Sequence, residues 1–156
     1  MATGLGFDIH RFVAGRPLRL GGLSVDHPRG LEGHSDGDVL LHAVIDALLG
    51  AAGGGDIGDR FPDTDPKLRG ISSEKMLAAV LASLKGWRIE NVDVTLVAEE
   101  PKLGPRKGDL ASNVSRLLGG APVNVKAKTA EGLGPIGNRE AIACLAVVEL
   151  ARSHES

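Results

Sequence analysis

The chain has 156 residues, with 18 Lys+Arg set against 20 Asp+Glu and a formal net charge of -2. This balance excludes the basic footprint of a nucleic-acid or anionic-membrane binder, and 3% aromatic residues without a tyrosine exclude a base-stacking platform. A lone cysteine, Cys144, excludes an intrachain disulfide framework and fits a reducing, cytoplasmic setting. No secretory pattern opens the chain, no apolar run approaches the roughly 20 residues of a membrane span, and the length fits one domain over residues 1–156.

In chain order, residues 5–12 read as a strand, and residues 17–25 alternate with period two as a second. Ser35 or Asp36 can cap a helix running to about Ala52, stopped by Gly53-Gly54-Gly55. That helix is apolar nearly all round, so it is expected to be central. Its exceptions, Asp38, His42 and Asp46, fall at i, i+4 and i+8 on one stripe. Residues 56–69 form a polar loop rich in aspartate and proline. Ser73 opens a second helix through about Lys85. Residues 91–99 alternate as a strand, 105–118 form an amphipathic helix ended by Gly119-Gly120, and 123–129 form another strand. Residues 141–150, around a Cys144 expected to be a buried thiol, suit a strand or a helix equally. Interleaved helices and strands without a repeat indicate α/β or α+β with a single sheet.

Two histidine-centred segments carry most of the chemistry: Gly6-Phe7-Asp8-Ile9-His10-Arg11, and Gly33-His34-Ser35-Asp36-Gly37-Asp38 leading to His42. Asp8 and His10, two apart on a strand, share a face. With His42 they supply two imidazoles and one carboxylate, the protein half of an open Zn²⁺ site. The polar stripe on the helix must be satisfied in any case. A metal with supporting carboxylates, among them Asp46, does so, and a plain hydrogen-bond network does so too. The aspartates of Asp56-Ile57-Gly58-Asp59-Arg60-Phe61-Pro62-Asp63-Thr64-Asp65 lack the frame of an EF-hand. Gly53-Gly54-Gly55-Asp56-Ile57-Gly58 follows a helix, which rules out a dinucleotide loop. Lys126-Ala127-Lys128-Thr129-Ala130-Glu131, at a strand end, suits phosphate, or Mg²⁺ held by one carboxylate and phosphate oxygens.

Together the segments resemble the 2-C-methyl-D-erythritol 2,4-cyclodiphosphate synthase family of the non-mevalonate isoprenoid pathway. The matching strings are Gly6-Phe7-Asp8-Ile9-His10-Arg11-Phe12, His34-Ser35-Asp36-Gly37-Asp38, His42-Ala43, Asp46-Ala47-Leu48-Leu49-Gly50, Gly55-Asp56-Ile57-Gly58 and Phe61-Pro62-Asp63-Thr64-Asp65. Asn91-Val92-Asp93-Val94-Thr95, Pro101-Lys102, Val125-Lys126-Ala127, Thr129, Glu131 and Leu133-Gly134 follow in order along almost the whole chain.

The resemblance implies an α+β (α/β two-layer) sandwich, with one mainly four-stranded mixed sheet packed on helices. It also implies a homotrimer with interfacial active sites. Zn²⁺ is then held by Asp8, His10 and His42, and Mg²⁺ or Mn²⁺ by Glu131 with substrate phosphates. The implied reaction, that of a phosphorus–oxygen lyase, converts 4-diphosphocytidyl-2-C-methyl-D-erythritol 2-phosphate to the 2,4-cyclodiphosphate and releases CMP. His34 and Thr129 match transition-state stabilising positions, with Ser35 beside His34. Asp56, Ile57, Gly58, Phe61, Asp63 and Asp65 match the grip on the methylerythritol. Ala98, Lys102, Leu103 and Gly104 match the cytidine pocket, and Lys128, Thr129, Ala130 and Glu131 the phosphate contacts. Neither nucleic acid nor membrane is an implied partner. The chain departs from the family at Gly137-Asn138-Arg139-Glu140, where an arginine is expected at position 138. In the family that arginine lines a cavity on the trimer axis where an isoprenoid diphosphate sits.

Overall fold

A computed structural model describes residues 1–153. Among the described residues the strands and α-helices are β1 (Ala2–Ala14), β2 (Leu18–Leu20), β3 (Leu23–Val25), β4 (Arg29–Leu31), α1 (Val39–Ala52), α2 (Ile57–Arg60), α3 (Ser73–Ser83), β5 (Trp87–Val97), α4 (Lys107–Leu117), β6 (Val123–Lys128), α5 (Gly134–Gly137) and β7 (Ala141–Arg152). The main sheet has the order β4-β1-β7-β5-β6. Four long strands carry it, and the three-residue β4 extends one edge. β7 runs antiparallel to both neighbours, whereas β5 and β6 are parallel, so the sheet is mixed.

The ambiguous segment around Cys144 is therefore a strand, and a central one. Its burial alternates from Cys144 to Val148, with Leu145 and Val147 exposed between buried neighbours, as period-two packing requires. Cys144 is buried, and that burial pushes its thiol pKa far up. The expected single strand over 17–25 is instead a small hairpin, β2 with β3, turned at Gly21-Gly22 and forming its own two-stranded sheet. The polar stretch 56–69 contains the short α2 and a 3₁₀ turn at Pro66–Leu68.

α1 is the core helix: Leu40, Leu41, Ile45, Leu48 and Leu49 are fully buried, each burial contributing about 1.5–3 kcal/mol. Its cap is Asp38, not Ser35 or Asp36. The Asp38 carboxylate accepts Leu41 N–H, and Gly53 ends the helix in the left-handed region at φ 69°. The same carboxylate accepts Gly21 N–H at 2.9 Å and Gly22 N–H at 2.8 Å, fastening the hairpin to the helix start. Burial pushes the Asp38 carboxyl pKa up, against the pull of these three backbone donors.

The contact between α1 and β1 sets the position of the site. A Cβ at Gly4 would fall 2.0 Å from the Ala47 carbonyl oxygen, and one at Gly6 would fall 1.9 Å from that of Ala43. Only glycine lets the helix lie this close to the strand. Asp8 and His10 continue the helix-facing side of β1, and His42 adjoins Ala43 on the helix. The opposite face of the sheet carries Leu5, Phe7 and Ile9 of β1, 64%, 55% and 45% exposed, beside Leu145 and Val147 of β7. Leu5 pairs with Val147 and Phe7 with Leu145, so the five form one contiguous apolar patch. No helix among the described residues is long and apolar enough to cross a membrane.

Candidate active site

Asp8, His10 and His42 converge as the spacing anticipated. His10 Nε2 lies 2.7 Å from Asp8 Oδ2 and 3.2 Å from His42 Nδ1, and His42 Nδ1 lies 3.0 Å from Asp8 Oδ2. The hydrogen bonds on the far sides of the rings fix their tautomers. His10 Nδ1 donates to the Glu32 carbonyl. His42 Nε2 lies 2.9 Å from Ser73 Oγ and 3.0 Å from Ser35 Oγ. Ser73 spends its one hydroxyl proton on Asp36 Oδ1, so it must accept from His42 Nε2–H.

With both outer nitrogens protonated, neutral rings present lone pairs at His10 Nε2 and His42 Nδ1, facing a carboxylate oxygen. Three acceptors turned on one point call for a cation between them. The donor set is two imidazoles and one carboxylate, with each ring oriented from behind, which suits Zn²⁺. The ligand atoms are slightly tighter than the roughly 3.3 Å separation set by tetrahedral bonds of about 2.0–2.1 Å. Without a metal, a proton performs the same task. Burial works against charge on both groups; the pairing outweighs it, raising the His10 pKa and holding the Asp8 carboxyl down to about 2.

Beside the triad opens a cavity of about 180 Å³ lined by Asp8, His10, His34, Ser35, His42, Ile57, Phe61, Asp63 and Asp65, residues expected from the sequence to belong to one site. Its lining also includes Pro62, Leu68, Arg69, Ile71 and Met76. Pro62 falls inside the Phe61–Asp65 string already singled out, whereas Leu68 and Arg69 lie in the rest of the polar stretch and Met76 lies on α3, where periodicity gave no reason to single them out. His34 is 63% exposed and 4.0 Å from Asp63 Oδ2. Asp56 and Gly58 do not line this cavity. The Asp56 carboxylate caps α2 through Asp59 N–H.

A second cavity, about 120 Å³, is lined by Ala98, Pro101, Lys102, Leu103, Gly104, Ala127, Lys128 and Thr129. It gathers the residues matched to a cytidine pocket. Ala130 and Glu131 follow in an exposed loop, where Thr129 Oγ1 donates to Glu131 Oε1 at 3.1 Å. Within one chain the candidate site is thus divided: His34 is in one cavity and Thr129 in the other.

The polar stripe of α1 resolves into three separate tasks. Asp38 holds the hairpin, His42 faces the triad, and Asp46 accepts Ile57 N–H at 3.2 Å. Asp46 thus meets the start of α2 and makes no hydrogen bond to Asp8, His10 or His42, the group toward which its spacing pointed. Each i+4 step turns a helix by about 40°, enough for each side chain to find a different partner. The supporting carboxylate is Asp36, which acts through Ser73 and also accepts Ser73 N–H at 3.1 Å. Ser73 was expected to cap α3; Ser72 does so, through Lys75 N–H.

Known proteins give the context. The YgbB family profile matches residues 1–151. A Bordetella petrii relative described as 2-C-methyl-D-erythritol 2,4-cyclodiphosphate synthase is 53% identical over 97% of this chain and 96% of its own length. Among solved structures, the bifunctional IspDF of Campylobacter jejuni superposes with a TM-score of 0.92 at 42% identity; the match covers 97% of this chain and 42% of that longer one. A 2C-methyl-D-erythritol-2,4-cyclodiphosphate synthase in a CDP-bound form superposes at 0.85 with 42% identity, covering 96% of this chain and 99% of that one. The chain belongs to the YgbB family.

Proposed function

We propose that this chain is a 2-C-methyl-D-erythritol 2,4-cyclodiphosphate synthase acting on 4-diphosphocytidyl-2-C-methyl-D-erythritol 2-phosphate. The observation that carries this reading is the convergence of three acceptor atoms, from Asp8, His10 and His42, at the mouth of a cavity built from the family's own motif residues. A second support is the pocket at Ala98, Lys102 and Gly104, which offers a separate place for the cytidine.

In the reaction, an oxygen of the 2-phosphate bonds to the β-phosphorus of the diphosphate. The bond from that phosphorus to the bridging oxygen breaks, and CMP leaves with the oxygen and its electron pair. The nucleophile is already an anion, so no strong protein base is required. The chain must hold crowded phosphates in line and balance their charge. Lys102 and Lys128 supply fixed positive charge at the second cavity. His34 and Thr129 donate to phosphoryl oxygens from opposite ends of the substrate. Ile57, Phe61, Asp63 and Asp65, which line the first cavity, grip the methylerythritol end; Asp56 and Gly58 stand outside that lining and serve through the α2 start that carries Ile57, and Ser35 orients His42. Zn²⁺ on Asp8, His10 and His42, with Mg²⁺ or Mn²⁺ on Glu131, supplies Lewis-acid neutralisation of developing charge when bound.

The homotrimer belongs to the same reading. The exposed patch of Leu5, Phe7, Ile9, Leu145 and Val147 is the kind of face that a protein interface covers. A neighbouring copy would also join the first cavity of one subunit to the second cavity of the next, uniting a site that a single chain divides. A balanced charge and one buried cysteine fit a single cytoplasmic domain with neither nucleic acid nor membrane as partner.

Incubation with the cytidyl substrate and Mg²⁺ tests the proposal. CMP and a cyclic diphosphate in equal amounts support it. CMP with an open-chain 2,4-bisphosphate, both phosphates still monoesters, indicates a phosphoesterase, and no CMP indicates a binding module without turnover.

A further inference from the structure

Glu99 takes no part in the reaction just described, yet its carboxylate is committed to one place. β5 and β6 end side by side, with Val97 opposite Lys128 in register and Ala98 N–H donating to the Lys128 carbonyl at 2.9 Å. Glu99 lies two residues beyond the end of β5. Its Oε1 accepts Ala130 N–H at 2.8 Å and Gly132 N–H at 3.3 Å, in the loop just beyond β6. Between those two amides stands Glu131, at φ 52°, followed by Gly132 at φ 72°.

The left-handed turn at Glu131 and Gly132 leaves the Ala130 and Gly132 N–H groups facing the same side of the loop, and the Glu99 carboxylate accepts both from within the chain. The left-handed region is unfavourable for a side chain such as that of Glu131, so the conformation needs an outside constraint. The same turn brings Glu131 Oε1 within reach of the Thr129 hydroxyl. We infer that Glu99 is the positioning residue that sets the 129–132 loop, and through it the carboxylate of Glu131, for a divalent cation. This deepens the cyclase reading and rests on it, since that reading makes Glu131 the ligand for Mg²⁺ or Mn²⁺. A chain lacking the anchor keeps Glu131 but presents it in many orientations, so a cation shared with substrate phosphates is held more weakly.

Two variants test this on the full-length protein, with Mn²⁺ titrated in the presence of CDP and followed by the paramagnetic signal of free Mn²⁺. Glu99→Ala removes the acceptor, whereas Glu99→Gln retains an oxygen able to take both amides. For Glu99→Ala the expected result is faster amide exchange at Ala130 and Gly132, about a tenfold rise in the Mn²⁺ dissociation constant, and zinc content unchanged. Turnover should fall through a higher Mg²⁺ requirement, with kcat recovered at saturating Mg²⁺. Glu99→Gln should restore most of both effects. Wild-type Mn²⁺ affinity in Glu99→Ala, or a Glu99→Gln variant no better than Glu99→Ala, overturns the inference. The binding arm needs no turnover: failure of the cyclase reading appears in the CMP assay, and failure of this one in the Mn²⁺ titration.

Discussion

Ser73 Oγ and His42 Nε2 lie 2.9 Å apart although 31 residues separate them in the chain. Asp36 stands behind Ser73 and accepts the hydrogen bond its hydroxyl donates, so the hydroxyl serves the histidine only as an acceptor. Ser73→Ala should lower zinc affinity by about 10–100-fold with the fold intact, because Ser72 caps the helix. Competition with a chelator measures this, and unaltered affinity would show that Ser35 alone orients the ring.

His42→Ala should abolish zinc binding and CMP release together while leaving the proposed trimer as assembled as in the wild type, since the exposed apolar patch lies on the other face of the sheet. Metal analysis and sedimentation on the same sample check both halves. Full zinc occupancy in this variant would return the triad to a plain hydrogen-bond network.

Asp46→Ala separates two roles that its sequence position confounds. Its carboxylate holds Ile57 N–H, and Ile57 lines the cavity beside the triad. Zinc content should stay at the wild-type level. KM for the cytidyl substrate should rise about fivefold, as for a lost hydrogen bond of about 1 kcal/mol. Zinc loss would place Asp46 back beside the metal.

Asp38→Ala removes a helix cap and leaves the Gly21 and Gly22 amides without their acceptor. The combined cost should be about 2–5 kcal/mol, visible in denaturant unfolding. Asp38→Asn should cost less. Its single oxygen can keep the Oδ1 partners, Gly21 and Leu41, and loses only the Gly22 bond made by Oδ2.

Asn138 stands where the family resemblance leads one to expect an arginine. The neighbouring Arg139 adopts φ 62° and directs Nε toward Glu100 Oε2 at 3.9 Å. Asparagine is neutral and cannot replace a bidentate phosphate fork. Farnesyl diphosphate should therefore bind weakly or not at all by calorimetry. Micromolar binding lost in Arg139→Ala would show that Arg139 turns to replace the missing fork.

The parts of the molecule legible in the sequence are those governed by local period and by short motifs. Alternation marked β5 and the 17–25 segment, which folds as the β2–β3 hairpin, an all-round apolar run marked α1, and the spacing of Asp8 and His10 put both on one face of a strand. The contacts that escaped notice join distant residues. Ser73 meets His42 only because α3 packs against α1, and Glu99 meets Ala130 only because β5 and β6 pair in parallel. Residues 141–150 could not be assigned because alanines and valines suit a buried strand and a buried helix alike. Their place between β1 and β5, with both edges hydrogen-bonded, decides the matter. Asp46 misled for a related reason: spacing identifies a stripe but not which neighbour each side chain meets.

Phosphorus NMR of the cytidyl substrate turned over by the wild-type chain with Mg²⁺ follows ring closure itself. The 2-phosphate monoester signal should disappear as CMP accumulates one-for-one, replaced by two mutually coupled diphosphate signals. CMP accumulating while that monoester signal persists would contradict ring closure, and with it the function assigned to this site.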